Sequence, residues 1–184
     1  EKVAQLHLDK VAATLSKLSK EDRDTVVIGS KILPNHCDDV RKYTEDTLER
    51  LGEECIDLYM VHWPLNNENG IVAKGFKDLM ELQKEGKIKH IGVSNFGVAQ
   101  LKEAMTTGVK IAVNQLCYNL IFRSIEFEIL PFCIQNSIQV TCYSPLMQGI
   151  LTGRYSTADE IPLVRRRSRH FDCKTNEKSR HGED

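Results

Sequence analysis

Five polar positions stand out because each follows a short apolar run. Lys31 comes shortly after Val26-Val27-Ile28, His62 follows Ile56-Asp57-Leu58-Tyr59-Met60-Val61, and Ser94-Asn95 follow Ile91-Gly92-Val93. Asn114-Gln115 follow Ile111-Ala112-Val113, and Tyr143-Ser144 follow Ile138-Gln139-Val140-Thr141-Cys142. An ammonium, an imidazole, a phenol, hydroxyls and amides are the groups that hold charge, move protons and fix polar ligands. Each also has an ordinary reading: Lys31 as a solvated lysine at a strand end, His62 as a satisfied core histidine. One polar residue after a strand carries little weight. Five in succession at the same end of successive strands point to a site.

The elements that must position them alternate in period. Ala4, Leu8, Val11, Leu15 and Leu18 recur at helical steps, as do Val40, Thr44, Thr47, Leu48 and Leu51, which Gly52 closes as a C-terminal cap. Phe76, Leu79, Met80 and Leu82 predict a helix ending near Gly86. Asn95 is expected to cap the helix carrying Leu101, Ala104 and Met105, and Gly108 to stop it. A further helix is predicted from about Ile125 to Cys133, interrupted or restarted at Pro131. Continuous apolar strands separated by helices predict a parallel sheet with helices outside. No G-x-G-x-x-G follows any strand, so an open dinucleotide-binding sheet loses its main support. In a (β/α)₈ barrel the strand tips share one rim, and that rim is where such enzymes place their sites.

Bulk properties narrow the function classes. The 184 residues fit one domain, 41% apolar and 28% charged, with a formal net charge of −1, so no global field draws nucleic acid or anionic lipid. Arg165-Arg166-Arg167 and Arg169 lie in a polar stretch, 156–184, read as a solvated, flexible tail. No apolar run approaches the roughly 20 residues that cross a bilayer. Six cysteines (Cys37, Cys55, Cys117, Cys133, Cys142, Cys173) show neither C-x-x-C pairing nor paired His spacing, so no metal site or disulfide framework is expected. Cys117, Cys133 and Cys142 sit in apolar runs, where free cysteine behaves as a small buried hydrophobe. Reduced thiols in a cytoplasmic protein are the expectation. The chain opens on Glu1 without a signal-like segment, and its start reads as cut.

Five segments in order carry a family likeness. They are Val27-Ile28-Gly29-Ser30-Lys31; Ile56 through Val61-His62-Trp63-Pro64; Gly86-Lys87-Ile88-Lys89-His90-Ile91-Gly92-Val93-Ser94-Asn95-Phe96; Val113-Asn114-Gln115 to Tyr118-Asn119-Leu120; and Tyr143-Ser144-Pro145-Leu146, continuing to Gln148-Gly149-Ile150-Leu151-Thr152-Gly153-Arg154. Together they resemble the aldo-keto reductases, closest to the branch with a G-x-L-T-G-[KR] loop that has potassium-channel beta subunits among its relatives.

The resemblance implies reduction of aldehydes or ketones to alcohols by hydride transfer from NADPH. It also implies a (β/α)₈ TIM barrel, of which residues 1–184 form a single incomplete domain holding about strands 3 to 7. The family uses an aspartate, a tyrosine, a lysine and a histidine; Lys31 matches the lysine and His62 the histidine. The other two are expected upstream, and no tyrosine precedes Lys31, so the chain by itself is expected to be inactive. Lys31 would favour the phenolate of the tyrosine, and His62 would donate to the developing oxyanion. Ser94, Asn95 and Gln115 would hold the nicotinamide carboxamide, with Tyr143 against the ring. Ser144, Leu146, Gln148 and Gly149 would approach the pyrophosphate, Arg154 would pair with phosphate, and Trp63 would line the substrate mouth. The expected partner is a small carbonyl compound, with no metal, nucleic acid or membrane. A second reading from the same resemblance is a barrel that holds nucleotide for regulation, without turnover.

Overall fold

The computed structural model describes residues 2–65, 70–157 and 160–162, and for residues 2–7 the backbone alone. The basic run at 165–169 and Cys173 lie outside the described residues, as does the side chain of Ala4. The chain falls into two compact units, the first within 1–116 and 132–141, the second within 117–131 and 142–184.

In chain order the elements are α1 (Lys2–Leu15), α2 (Lys20–Thr25), β1 (Gly29–Ile32), α3 (Val40–Leu51), β2 (Ile56–Val61), α4 (Ile71–Lys84), β3 (Ile88–Ser94), α5 (Val98–Met105), β4 (Ile111–Cys117), α6 (Ile129–Gln135) and β5 (Gln139–Tyr143). Short 3₁₀ turns occupy Pro34–His36, Ser124–Glu126 and Met147–Thr152. The sheet is parallel, in the order β1-β2-β3-β4-β5. Strand order that follows chain order, with helical crossovers and no reversal, is the winding of a (β/α)₈ barrel; a doubly wound sheet switches direction midway.

The helical periods translate directly into burial. On α3 the buried residues are Val40, Thr44, Thr47, Leu48 and Leu51, with Asp39 capping the N-terminus. Gly52 ends the helix at φ 69°, and its N–H donates to the Glu49 carbonyl. The threonines satisfy their hydroxyls on the carbonyls one turn back, Val40 and Tyr43. On α4, Phe76, Leu79 and Leu82 are fully buried while Met80 is half-buried. Burial of such side chains stabilises by about 1.5–3 kcal/mol each. Helix α4 packs on α3, α5 and β3, and Phe76 meets Phe96 edge-on at 6.4 Å.

Several expectations are corrected. Strand β1 is Gly29–Ile32, not Val26–Ile28: Val27 is 76% exposed, and Ile28 only leads into the sheet through its carbonyl, which accepts from the Leu58 N–H. The last strand sits one residue later than expected, at Gln139–Tyr143. Helix α2 has no apolar period to announce it; Ser19 caps it through the Asp22 N–H. Helix α5 is capped by Gly97, because Asn95 itself adopts φ 63° and turns its amide toward other partners. The helix expected from about Ile125 to Cys133, interrupted or restarted at Pro131, is a 3₁₀ turn at Ser124–Glu126 followed by α6, which starts at Ile129 and holds Pro131 inside its first turn, where a missing N–H does no harm. Cys133 is buried as expected, but Cys117 is half-buried and Cys142 exposed.

The feet of the strands are tied by charge. In β2, the Asp57 carboxylate accepts from the Ile28 N–H at 2.8 Å and from Lys89 Nζ at 2.6 Å. Burial pushes the Asp57 carboxyl up, but the hydrogen bonds from Lys89 and Ile28 and the charges of Lys89 and Arg23 outweigh it and hold it below its usual value. Arg23 clamps Glu53 through two hydrogen bonds of 2.8 and 2.6 Å. Among the described residues no helix is long and apolar enough to cross a membrane.

Candidate functional site

The first unit carries its candidate residues at the C-terminal ends of β1 to β4. Lys31 pairs with Met60 one step from the end of β1, and the His62 N–H continues that ladder onto the Ile32 carbonyl at 2.9 Å. Ser94 closes β3 opposite Gln115 of β4. The parallel register therefore brings Lys31, His62, Asn95 and Gln115 to one end of the sheet.

Two classes of side chain meet there. One class is fully engaged with backbone. The Ser94 hydroxyl, 1% exposed as a residue, donates to the Gln115 carbonyl at 3.0 Å and accepts from Asn95 Nδ2 at 3.1 Å. Asn95 Nδ2 also donates to the His62 carbonyl at 3.1 Å, and the Asn95 N–H to the Gln115 carbonyl at 2.9 Å. Asn114, wholly buried, donates to the Phe96 carbonyl at 2.9 Å and accepts its N–H at 3.4 Å. This lattice staples β2, β3 and β4 together just past their last ladder bonds, and it demands the left-handed backbone at Asn95, a conformation asparagine tolerates better than most residues.

The second class is half-buried and unengaged. The Lys31 ammonium, the His62 ring nitrogens and the Gln115 amide have no hydrogen-bond partner among the described residues. Burial lowers the pKa of Lys31. Burial first, and then the Lys31 charge, lower that of His62. The imidazole is thus a neutral ring at pH 7, with a cation in electrostatic range. Polar groups shielded from water and left without partners cost stability unless a ligand completes them. Trp63 stacks loosely on His62, ring centroids 6.3 Å apart, and is 37% exposed.

In the second unit the segment after β5 is shaped by its backbone. Ser144, Met147 and Gln148 have φ of 52°, 47° and 53°, and Gly149 and Gly153 have φ of 104° and 71°. Non-glycine residues at positive φ cost energy, and such strain clusters at ligand clamps. The Ser144 carbonyl accepts from Asn119 Nδ2 at 3.1 Å and from the Met147 N–H at 2.9 Å. The Gly149 N–H donates to the Leu146 carbonyl at 2.9 Å and so folds the loop on itself. Thr152 Oγ1 closes onto the Gly149 carbonyl. Leu146 is exposed, and exposed Arg154 places its guanidinium 5.7 Å from the Tyr155 ring centroid.

Sequence reasoning missed the roles of Asn114 and Asn119 as braces. A polar amide inside an apolar strand was the available signal for Asn114. Ser94, expected as a ligand, has its hydroxyl proton committed to backbone and acts as a brace too. No group of His, Cys, Asp or Glu suited to a metal ion occurs among the described residues.

Comparison with known proteins follows the same lines. Residues 6–180 match the sequence profile described as the Aldo/keto reductase family. A methylglyoxal reductase of Escherichia coli, described as NADH-specific, is 38% identical over 127 residues, 67% of this chain and 37% of its own length. A glyoxal reductase of Bacillus subtilis is 39% identical over 108 residues, 58% of this chain and 37% of its own. Among solved structures, an aldo/keto reductase of Klebsiella pneumoniae in complex with NADP and acetate superposes with a TM-score of 0.67 at 32% identity, covering 80% of this chain and 50% of that one. The glycerol dehydrogenase of Gluconobacter oxydans gives 0.76 at 26%, covering 94% and 54%. The chain thus spans about half the length of these solved relatives and less of the curated ones.

Proposed function

The chain belongs to the aldo/keto reductase family, and on that premise we propose that it serves the NADPH-dependent reduction of small aldehydes or ketones to alcohols. The observation that carries this reading is the set of half-buried polar groups at the strand tips, Lys31, His62 and Gln115, which have no hydrogen-bond partner among the described residues while every brace around them is satisfied.

NADPH, when bound, supplies the hydride. His62, neutral at pH 7, donates a ring N–H to the carbonyl oxygen and orients it. The Lys31 cation would favour the phenolate of the tyrosine that protonates this oxygen, in a setting where burial strengthens its field. As the family resemblance implies, Gln115 and Asn95 would hold the carboxamide, with Ser94 keeping both in place, and Tyr143 would face the nicotinamide ring. Ser144, Leu146, Gln148 and Gly149 would hold the pyrophosphate, and Arg154 would pair with phosphate oxygen. Trp63 lines the substrate mouth. The positive φ of Ser144, Met147, Gln148, Gly149 and Gly153 curls the turn after β5 tightly, which supports the reading. The reductase names of the relatives favour turnover over a purely regulatory nucleotide site.

The test is binding and turnover measured separately. NADPH titrated into the 184-residue chain should change cofactor fluorescence, and Gln115→Ala should weaken that signal. Aldehyde reduction by the same chain should stay near background, since residues 1–30 contain no tyrosine to protonate the oxygen, and losing a general acid costs about 10²–10⁴-fold. A protein that includes an upstream tyrosine should oxidise NADPH with methylglyoxal or 4-nitrobenzaldehyde. Tight NADPH binding without turnover across a broad carbonyl panel in that longer form would favour the regulatory reading.

A further inference from the structure

We propose that Cys117 and Cys142 form a reversible dithiol–disulfide couple, a modification site that bridges the ends of β4 and β5. The two strands are neighbours in the sheet and run parallel. Two residues beyond the cysteines, Asn119 Nδ2 donates to the Ser144 carbonyl at 3.1 Å. That contact joins positions 25 apart in the chain, the same offset that separates Cys117 from Cys142. Cys117 is the last residue of β4 and Cys142 the last but one of β5, so the contact just past both ends draws the two cysteines together on adjacent strands, where residues in register project their Cβ atoms to the same face. Neighbouring strands lie about 4.8 Å apart, inside the roughly 4.4–6.8 Å between Cα atoms that a disulfide spans.

The surroundings assign unequal roles. Cys142 is exposed and Cys117 half-buried, and both are free thiols. Burial, and then the neighbouring Cys142 sulfur, push the Cys117 thiol above its usual value. Cys142 is therefore the sulfur that meets an oxidant, and Cys117 the one that resolves the product. With a peroxide, the Cys142 thiolate attacks one oxygen, the O–O bond breaks and water leaves with the thiol proton, giving a sulfenic acid. The Cys117 sulfur then attacks Cys142 Sγ, the S–O bond breaks, and a second water carries off the remaining proton. Two thiols lose two electrons and the peroxide gains them. A thiol reductant reverses the bridge by exchange. Cys37, with no surface exposed and its thiol pushed up to about 12 by burial and then by Asp38, takes no part.

The couple needs neither bound cofactor nor turnover, so its test stands apart from the function proposed above. The 184-residue chain is treated with one equivalent of hydrogen peroxide, remaining thiols are alkylated, and the non-reduced tryptic digest is mapped by mass spectrometry. Peptide 111–123 should appear joined to peptide 124–154, lighter by two hydrogens than the sum. Fragment ions should place the bridge at Cys142 and not at Cys133, which shares that peptide. Alkylation of Cys117 should fall at least tenfold and return with dithiothreitol, and Cys133→Ser should keep the bridge. A bridge to Cys133, a bridge between two chains on a non-reducing gel, or Cys142 carried to sulfinic or sulfonic acid while Cys117 stays alkylatable would each overturn the proposal.

Discussion

The tips of β1 to β4 and the loop after β5 settle their open backbone groups by opposite means. At the strand tips, side chains satisfy backbone: Ser94, Asn95 and Asn114 absorb the carbonyls and N–H groups that the sheet leaves open, and the reactive groups stand inside that frame without partners. In the loop, backbone satisfies backbone, and the cost is conformational: Ser144, Met147 and Gln148 sit in a region that side chains disfavour. A frame of hydrogen bonds holds atoms at fixed points, as proton and charge transfer require. A strained turn instead closes its amides on its own carbonyls, the Met147 N–H on Ser144 and the Gly149 N–H on Leu146. Substitutions in the two regions should therefore fail differently.

The largest expected effect belongs to the frame's contents. In a form of the protein that turns over, His62→Ala should lower kcat by about 10²–10³, the usual cost of losing one oxyanion donor, with little change in NADPH affinity. Loss of affinity without loss of kcat would put His62 among the binding residues and erase the contrast. Next comes the frame itself. Asn114→Ala leaves both polar groups of Phe96 without their partner in a buried site, and should lower unfolding free energy in urea by about 2–3 kcal/mol; a loss under about 0.5 kcal/mol would mean the braces are dispensable.

Strain predicts the reverse sign in the loop. Gln148→Gly should raise stability by about 0.5–1 kcal/mol by removing the left-handed cost. A destabilised variant would show that the Gln148 side chain contributes more than the backbone costs. The smallest effect is electrostatic. Because the folded-state pKa of His62 lies below its usual value, the unfolded chain binds the proton first as pH falls. The stability contributed by neutral His62 is complete above about pH 6.5 and is lost as pH drops through the lowered folded value. His62→Gln should flatten that part of the stability–pH curve, and an unchanged curve would show that the ring is not held neutral.

The same contrast decides what was legible in the sequence. Lys31, His62, Asn95 and Gln115 were readable because a strand's apolar run fixes where it ends, and parallel strands end together. Helix α3 was readable to the residue on its buried face, since the 3.6-residue period and Gly52 speak for themselves, and α4 largely so, with Met80 half-buried and the buried Val72 and Gly75 unannounced. Helix α2 was not, because Lys20–Thr25 carries no apolar residue. The positive φ of Met147 and Gln148 was not either: nothing in those side chains asks for it, and the turn is imposed by the carbonyls it closes on. Asn95 misled as a helix cap because a cap and a tertiary brace use the same amide.

Asp57, at the foot of β2, sets the order in which the sheet would come apart in acid. Its carboxylate holds the Ile28 N–H at the approach to β1 and the Lys89 ammonium at the foot of β3, and it is kept below its ordinary pKa chiefly against the pull of burial. Protonation therefore comes late, but when it comes the neutral acid can no longer bind the Lys89 ammonium as an ion pair and accepts the Ile28 N–H more weakly. Strand β1, which among the described residues flanks β2 alone, is the strand that loses its tether, and it is the strand that bears Lys31. Acid would act as a solvent of one seam, peeling the lysine away from the histidine before the interior strands let go.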